Sequence, residues 1–111
     1  MGYFYLFIAI CGEVIGTISL KNSEGLTQPF HTILIAVGYI IAFYFLMLSM
    51  KTIPVAISYS IWAGVGITAI AIISAIQFRE IPDLYAILGL AFIIVGIVIL
   101  ISLSNMGKNF N

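Results

Sequence analysis

The chain has 111 residues, of which 63% are hydrophobic and only 7% charged, with four basic and four acidic side chains and no formal net charge. A soluble domain carries about one quarter charged residues, so this composition excludes an ordinary soluble fold and points to lipid. A span needs about 20 mainly apolar residues, so the length allows about four crossings with short loops, and no Lys/Arg run suggests a nucleic-acid partner.

Apolar runs at about 3–20, 33–50, 56–76 and 84–103 are separated by KNSEGLTQPFH, KTIP and QFREIPD. They are too long for membrane strands and lack polar–apolar alternation, which predicts an all-α membrane protein of four transmembrane helices in a single domain, 1–111. Without a basic leader, and with Glu13 where a signal peptide would be apolar, the first run is expected to be retained as a span. Lone Cys11 has no disulfide partner and is expected only to pack.

The first run holds the residue that needs an explanation. Seven of the eight charged residues fall in loops or at the C-terminal end, but Glu13 lies near the middle of a span, in AICGEVIGT. A charge there costs about 2.5–3.5 kcal/mol on lenient insertion scales, and no other span supplies a Lys or Arg to pair with it. Hydrocarbon disfavours the ionised carboxylate and a neighbouring cation favours it, so protons and an organic cation would compete for one site. Helical spacing puts Leu6, Ala9, Gly16, Thr17 and Leu20 on the face of Glu13. Small Ala9, Gly12 and Gly16 leave space there for either a ligand or a close-packed helix.

In the second run Tyr39 and Phe43 are four apart, and in the third Tyr59 and Trp62 are three apart, so each pair shares a face. Aromatic faces attract cations and tolerate varied shapes, which makes these four candidate pocket walls. Tyr3, Tyr5 and Tyr85 lie near span ends, where aromatic belts form; Tyr3 is also taken as a candidate pocket residue. AGVG at 63–66 places Gly64 and Gly66 mid-helix, as a hinge or a packing point. In the fourth run Gly89 and Gly96 are seven apart, a plausible seam between protomers. His31 is expected in a surface loop; no metal set, cofactor motif or catalytic triad is present, and no enzyme is expected.

Four spans put both ends of the chain on one side of the membrane. Lys51 and Lys108 mark that side, and Lys21 and Arg79 the other, a tie that specifies orientation weakly. Insertion both ways up leads naturally to an antiparallel homodimer of eight helices.

Tyr3 onward through GEVIGT to KNSEG at 21–25, with YSIWAGVG at 59–66, resembles the small multidrug resistance family of proton-coupled exporters, over nearly the whole chain. The resemblance implies a glutamate, here Glu13, that binds protons and substrate in an antiparallel dimer in the bacterial plasma membrane, with Tyr39, Phe43, Tyr59 and Trp62 around it. Guanidinium exporters of the family commonly carry a tryptophan three residues after the glutamate, a hydroxyl residue near the site in the second span and a lysine in the fourth. Gly16, Ala42 and a base-free fourth span depart from that pattern, so the sequence looks like the multidrug branch, exporting quaternary ammonium and other lipophilic cations. Gln77 and Pro82 depart from the family's usual third loop. The alternatives are guanidinium or polyamine export and, in another class, a non-transporting membrane assembly subunit.

Overall fold

The computed structural model describes residues 1–104, all of whose regular structure is helical: α1 (Gly2–Asn22), α2 (Pro29–Ser49), α3 (Val55–Gln77) and α4 (Leu84–Leu103). Each is long and apolar enough to cross a membrane. Lys108 lies outside the described residues.

The helix starts follow local chemistry. Pro29 occupies the first turn of α2, where its missing N–H breaks no helical bond, after an extended Gln28. α2 therefore begins four residues earlier than the hydrophobic run suggests, and His31 belongs to its first turn instead of a loop. Asp83 caps α4 by accepting a hydrogen bond from the Ala86 N–H at 2.9 Å. The α1–α2 turn runs through left-handed backbone at Glu24, Gly25 and Leu26, with φ of 50°, 73° and 69°. Ser23 ties it down: its hydroxyl donates to the Leu20 carbonyl at 2.8 Å and accepts from the Leu26 N–H at 3.2 Å. Across the same face Lys21 pairs with Glu80 and lies 4.7 Å from the Phe78 ring centroid.

The helices form a slab with Cα extents of 46 × 34 × 17 Å, no more than two helices deep. α1 is central, packed most extensively on α2 and next on α3, while α4 packs mainly on α3. The α1–α2 seam is set by glycine: a Cβ on Gly12 would lie 2.7 Å from the Gly38 carbonyl oxygen, and one on Gly38 would lie 2.7 Å from that of Gly12. Only hydrogen fits at this crossing, which settles Gly12 as a packing residue. The apolar core gathers Leu6, Ala9, Leu46, Ile53, Ile57 and Trp62. No residue of α4 is buried.

Candidate functional site

The centre of α1 presents Glu13 to both neighbouring helices. One helical turn further along α1, the Thr17 hydroxyl donates to Glu13 Oε1 at 3.0 Å, and Thr17 Oγ1 lies 2.7 Å from the Tyr39 hydroxyl of α2. A threonine hydroxyl has one proton, and here it is given to the carboxylate, so the Tyr39 O–H donates to Thr17. The result is a directed chain, Tyr39 to Thr17 to Glu13. The other carboxylate oxygen, Oε2, is buried without a hydrogen-bond partner among the described residues. It faces α3, where a Cβ on Gly66 would come within 2.8 Å. Gly66 thus makes room for the carboxylate, a role that its candidacy as a hinge does not describe.

The aromatic residues join into one strip leading from that chain. Tyr39 and Phe43 have ring centroids 6.5 Å apart, Phe43 and Trp62 5.5 Å, and Trp62 and Tyr59 5.4 Å, all tilted. Trp62 anchors the strip in the core at 9% exposure, its Nε1 buried without a partner among the described residues, whereas Phe43 and Tyr59 remain 57% and 53% exposed. The second and third spans therefore supply a continuous wall beside the carboxylate, with one fixed ring and two that are open.

The remaining candidates are distributed differently. Gly16 is buried beneath the Tyr39 ring, where a Cβ would lie 3.2 Å from two ring carbons, and Ala9 is fully buried in the core. Both lie at helix contacts that hold the wall in place. Tyr3 is not brought to Glu13: ten residues of helix separate them by about 15 Å, and Tyr3 lines a separate cavity with Thr52, Pro54 and Ser102. Gly64 lies under the Ile97 and Ile93 side chains of α4, so a larger residue there would first turn the Ile97 side chain aside; α3 runs unbroken through both Gly64 and Gly66. Around Gly89 and Gly96 there is open space. Gly38, as essential to the α1–α2 crossing as Gly12, escaped the sequence reading, although small residues at Gly38 and Ala42 repeat the spacing of Gly12 and Gly16.

Residues 1–93 match the family model described as Small Multidrug Resistance protein. The chain belongs to the small multidrug resistance family. Among its relatives, quaternary ammonium compound-resistance protein QacG of Staphylococcus sp. (strain ST94) is 44% identical over 90% of this chain and 94% of its own length. QacE of Escherichia coli, of the same description, is 42% identical over 93% and 94%, and a multidrug transporter of Pseudomonas aeruginosa 39% identical over 88% and 89%. Membership of this family, with four spans, makes the chain a multi-pass protein of the bacterial plasma membrane.

Proposed function

We propose that this chain exports lipophilic or quaternary ammonium cations in exchange for protons, the two competing for Glu13 in an antiparallel homodimer. The observation that carries the reading is the carboxylate itself: an acidic group inside an apolar span, with one oxygen bonded to Thr17 and the other without a partner among the described residues, at the foot of an aromatic strip. The names of the relatives, quaternary ammonium resistance and multidrug transport, agree with the chemistry of that strip.

An ionised Glu13 supplies the counter-charge that a cation needs in a low-dielectric site, and the exposed faces of Phe43 and Tyr59 supply attraction without demanding a fixed shape. Protonation cancels that counter-charge and releases the cation. A cation arriving at a protonated site drives the proton off, because only the ionised form repays its desolvation. The Tyr39–Thr17 chain holds the carboxylate in one orientation through both states. The uncovered α4 face with Gly89 and Gly96 supports a second copy as its cover, and the exposed Phe43 and Tyr59 leave the aromatic strip free for the cation that the proposed dimer would enclose. A working bend at Gly64 and Gly66 belongs to the same proposal.

The test is proton-driven uptake of tetraphenylphosphonium into proteoliposomes. Uptake is expected to vanish in Glu13→Gln and to persist in Glu13→Asp with a displaced pH profile; undiminished uptake by Glu13→Gln would sink the proposal. Guanidinium bound more tightly than tetraphenylphosphonium would transfer the protein to guanidinium export. Absence of saturable cation binding at any pH would leave the non-transporting subunit.

A further inference from the structure

Gly12 and Gly16 are both buried in α1, about one helical turn apart, but they are glycines for different reasons. A Cβ on Gly12 would meet main chain first, the Gly38 carbonyl oxygen at 2.7 Å and the Ala42 nitrogen at 3.1 Å. Its absence lets two backbones approach. A Cβ on Gly16 would meet a single side chain first: its three nearest atoms are Cδ1, Cε1 and Cζ of Tyr39, at 3.2, 3.2 and 3.4 Å. These are consecutive atoms along one edge of the ring, ending at the carbon that bears the hydroxyl. The edge therefore lies along α1 at Gly16, and the hydroxyl beyond it lies 2.7 Å from Oγ1 of Thr17, the next residue of α1. Close approach of the backbones at this level is secured from the other helix, since a Cβ on Gly38 would lie 3.0 Å from the Gly16 nitrogen.

We propose that Gly16 is a positioning residue: its missing side chain seats the Tyr39 ring edge against α1, and that seat carries the Tyr39 hydroxyl to Thr17 and so steadies the Glu13 carboxylate. Even a methyl group at 16 is tight enough that the ring must yield by a few tenths of an ångström. The ring turns about torsions at its α2 end, so the displacement grows along it and is largest at the hydroxyl. A hydrogen bond between hydroxyls tolerates little of this, because such bonds span only about 2.5–3.0 Å. With the Tyr39 hydroxyl withdrawn, Thr17 is left to orient the carboxylate alone. The consequence for cation binding rests on the transport reading; the contact itself does not.

The experiment is NMR of the full-length protein in bicelles, labelled with tyrosine carrying carbon-13 at Cζ, whose chemical shift follows the hydrogen bonding of the phenol. The Tyr39 signal is assigned by its loss in Tyr39→Phe, and Thr17→Val marks its position without the acceptor. Gly16→Ala is expected to move the Tyr39 signal towards that position while the other tyrosines stay in place; a Tyr39 signal unmoved by Gly16→Ala overturns the proposal. Tetraphenylphosphonium affinity reads the consequence. Gly16→Ala should lower it about threefold, the lower end of what one hydrogen bond contributes, and should lower it no further on a Tyr39→Phe background, where there is no hydroxyl to misplace. Equal losses on both backgrounds overturn the positioning role in favour of simple packing. If Gly16→Ala does not fold, the double variant Gly16→Ala/Tyr39→Leu decides: recovery of the fold identifies the ring as the obstacle, and failure there too overturns the proposal. The shifts need no cation, so a wild type that binds none fails the transport reading alone, with the shifts still deciding the seat.

Discussion

α1 and α4 are both uninterrupted apolar helices of about the same length, yet one is the centre of the protomer and the other its periphery. α1 buries Leu6, Ala9, Gly12, Val14, Gly16 and Ser19, whereas α4, richer in Leu, Ile and Val, buries nothing. In water the greasier helix would be drawn inside. In lipid there is no such drive, because acyl chains solvate Leu and Ile as well as another helix does. What recruits a helix to the interior is the close approach that Gly12 and Gly16 permit and the polar partners that Glu13 and Thr17 require.

That contrast is broken most severely at the carboxylate. Glu13→Gln is expected to weaken tetraphenylphosphonium binding by at least about 100-fold, since removing one member of a desolvated charge pair costs about 3–5 kcal/mol; isothermal titration in detergent reads it. Glycine substitutions compare the two helices directly. Gly12→Leu must force α1 from α2 against the Gly38 backbone and should cost at least about 1–3 kcal/mol of protomer stability in a denaturant titration. Gly89→Leu, with nothing within 4 Å of its added Cβ, should leave protomer stability within about 0.5 kcal/mol. Under the proposed dimer it should weaken self-association instead, measured by single-molecule subunit capture in liposomes; equal destabilisation by both substitutions would erase the distinction.

Smaller effects sharpen the picture. Thr17→Val removes the hydroxyl between Tyr39 and Glu13, and should lower cation affinity about five- to tenfold, while Tyr39→Phe, which leaves Thr17 bonded to the carboxylate, should cost less. Glu80→Ala breaks an exposed pair with Lys21, both about half accessible, and should change stability by less than about 1 kcal/mol, with the difference fading at high salt.

How much of this was written in the sequence follows from the same physics. Four spans and the isolation of Glu13 are legible because chain length per crossing and the cost of charge in lipid are local properties. The faces of Tyr39 with Phe43 and of Tyr59 with Trp62 are legible from helical period; that Phe43 meets Trp62 across helices is not. Interhelical meetings escaped for that reason: Gly12 on Gly38, Gly66 beneath the Glu13 carboxylate, and Gly64 under Ile97. Tyr3, at the span end, is at belt depth, and its other reading as a pocket residue places it about 15 Å of helix away from Glu13 within one protomer. His31 reads as a loop residue because hydrophobicity alone starts the second span at 33, while α2 starts where Pro29 sets the backbone.

The central claim is that one carboxylate serves proton and cation in turn. Proton release on tetraphenylphosphonium binding, followed in weakly buffered detergent solution across the pH range, tests it most directly. Release is expected to be largest at acid pH, to fall towards zero as Glu13 loses its proton beforehand, and to be absent in Glu13→Gln. Cation binding with no proton released at any pH, or release preserved in Glu13→Gln, would contradict it.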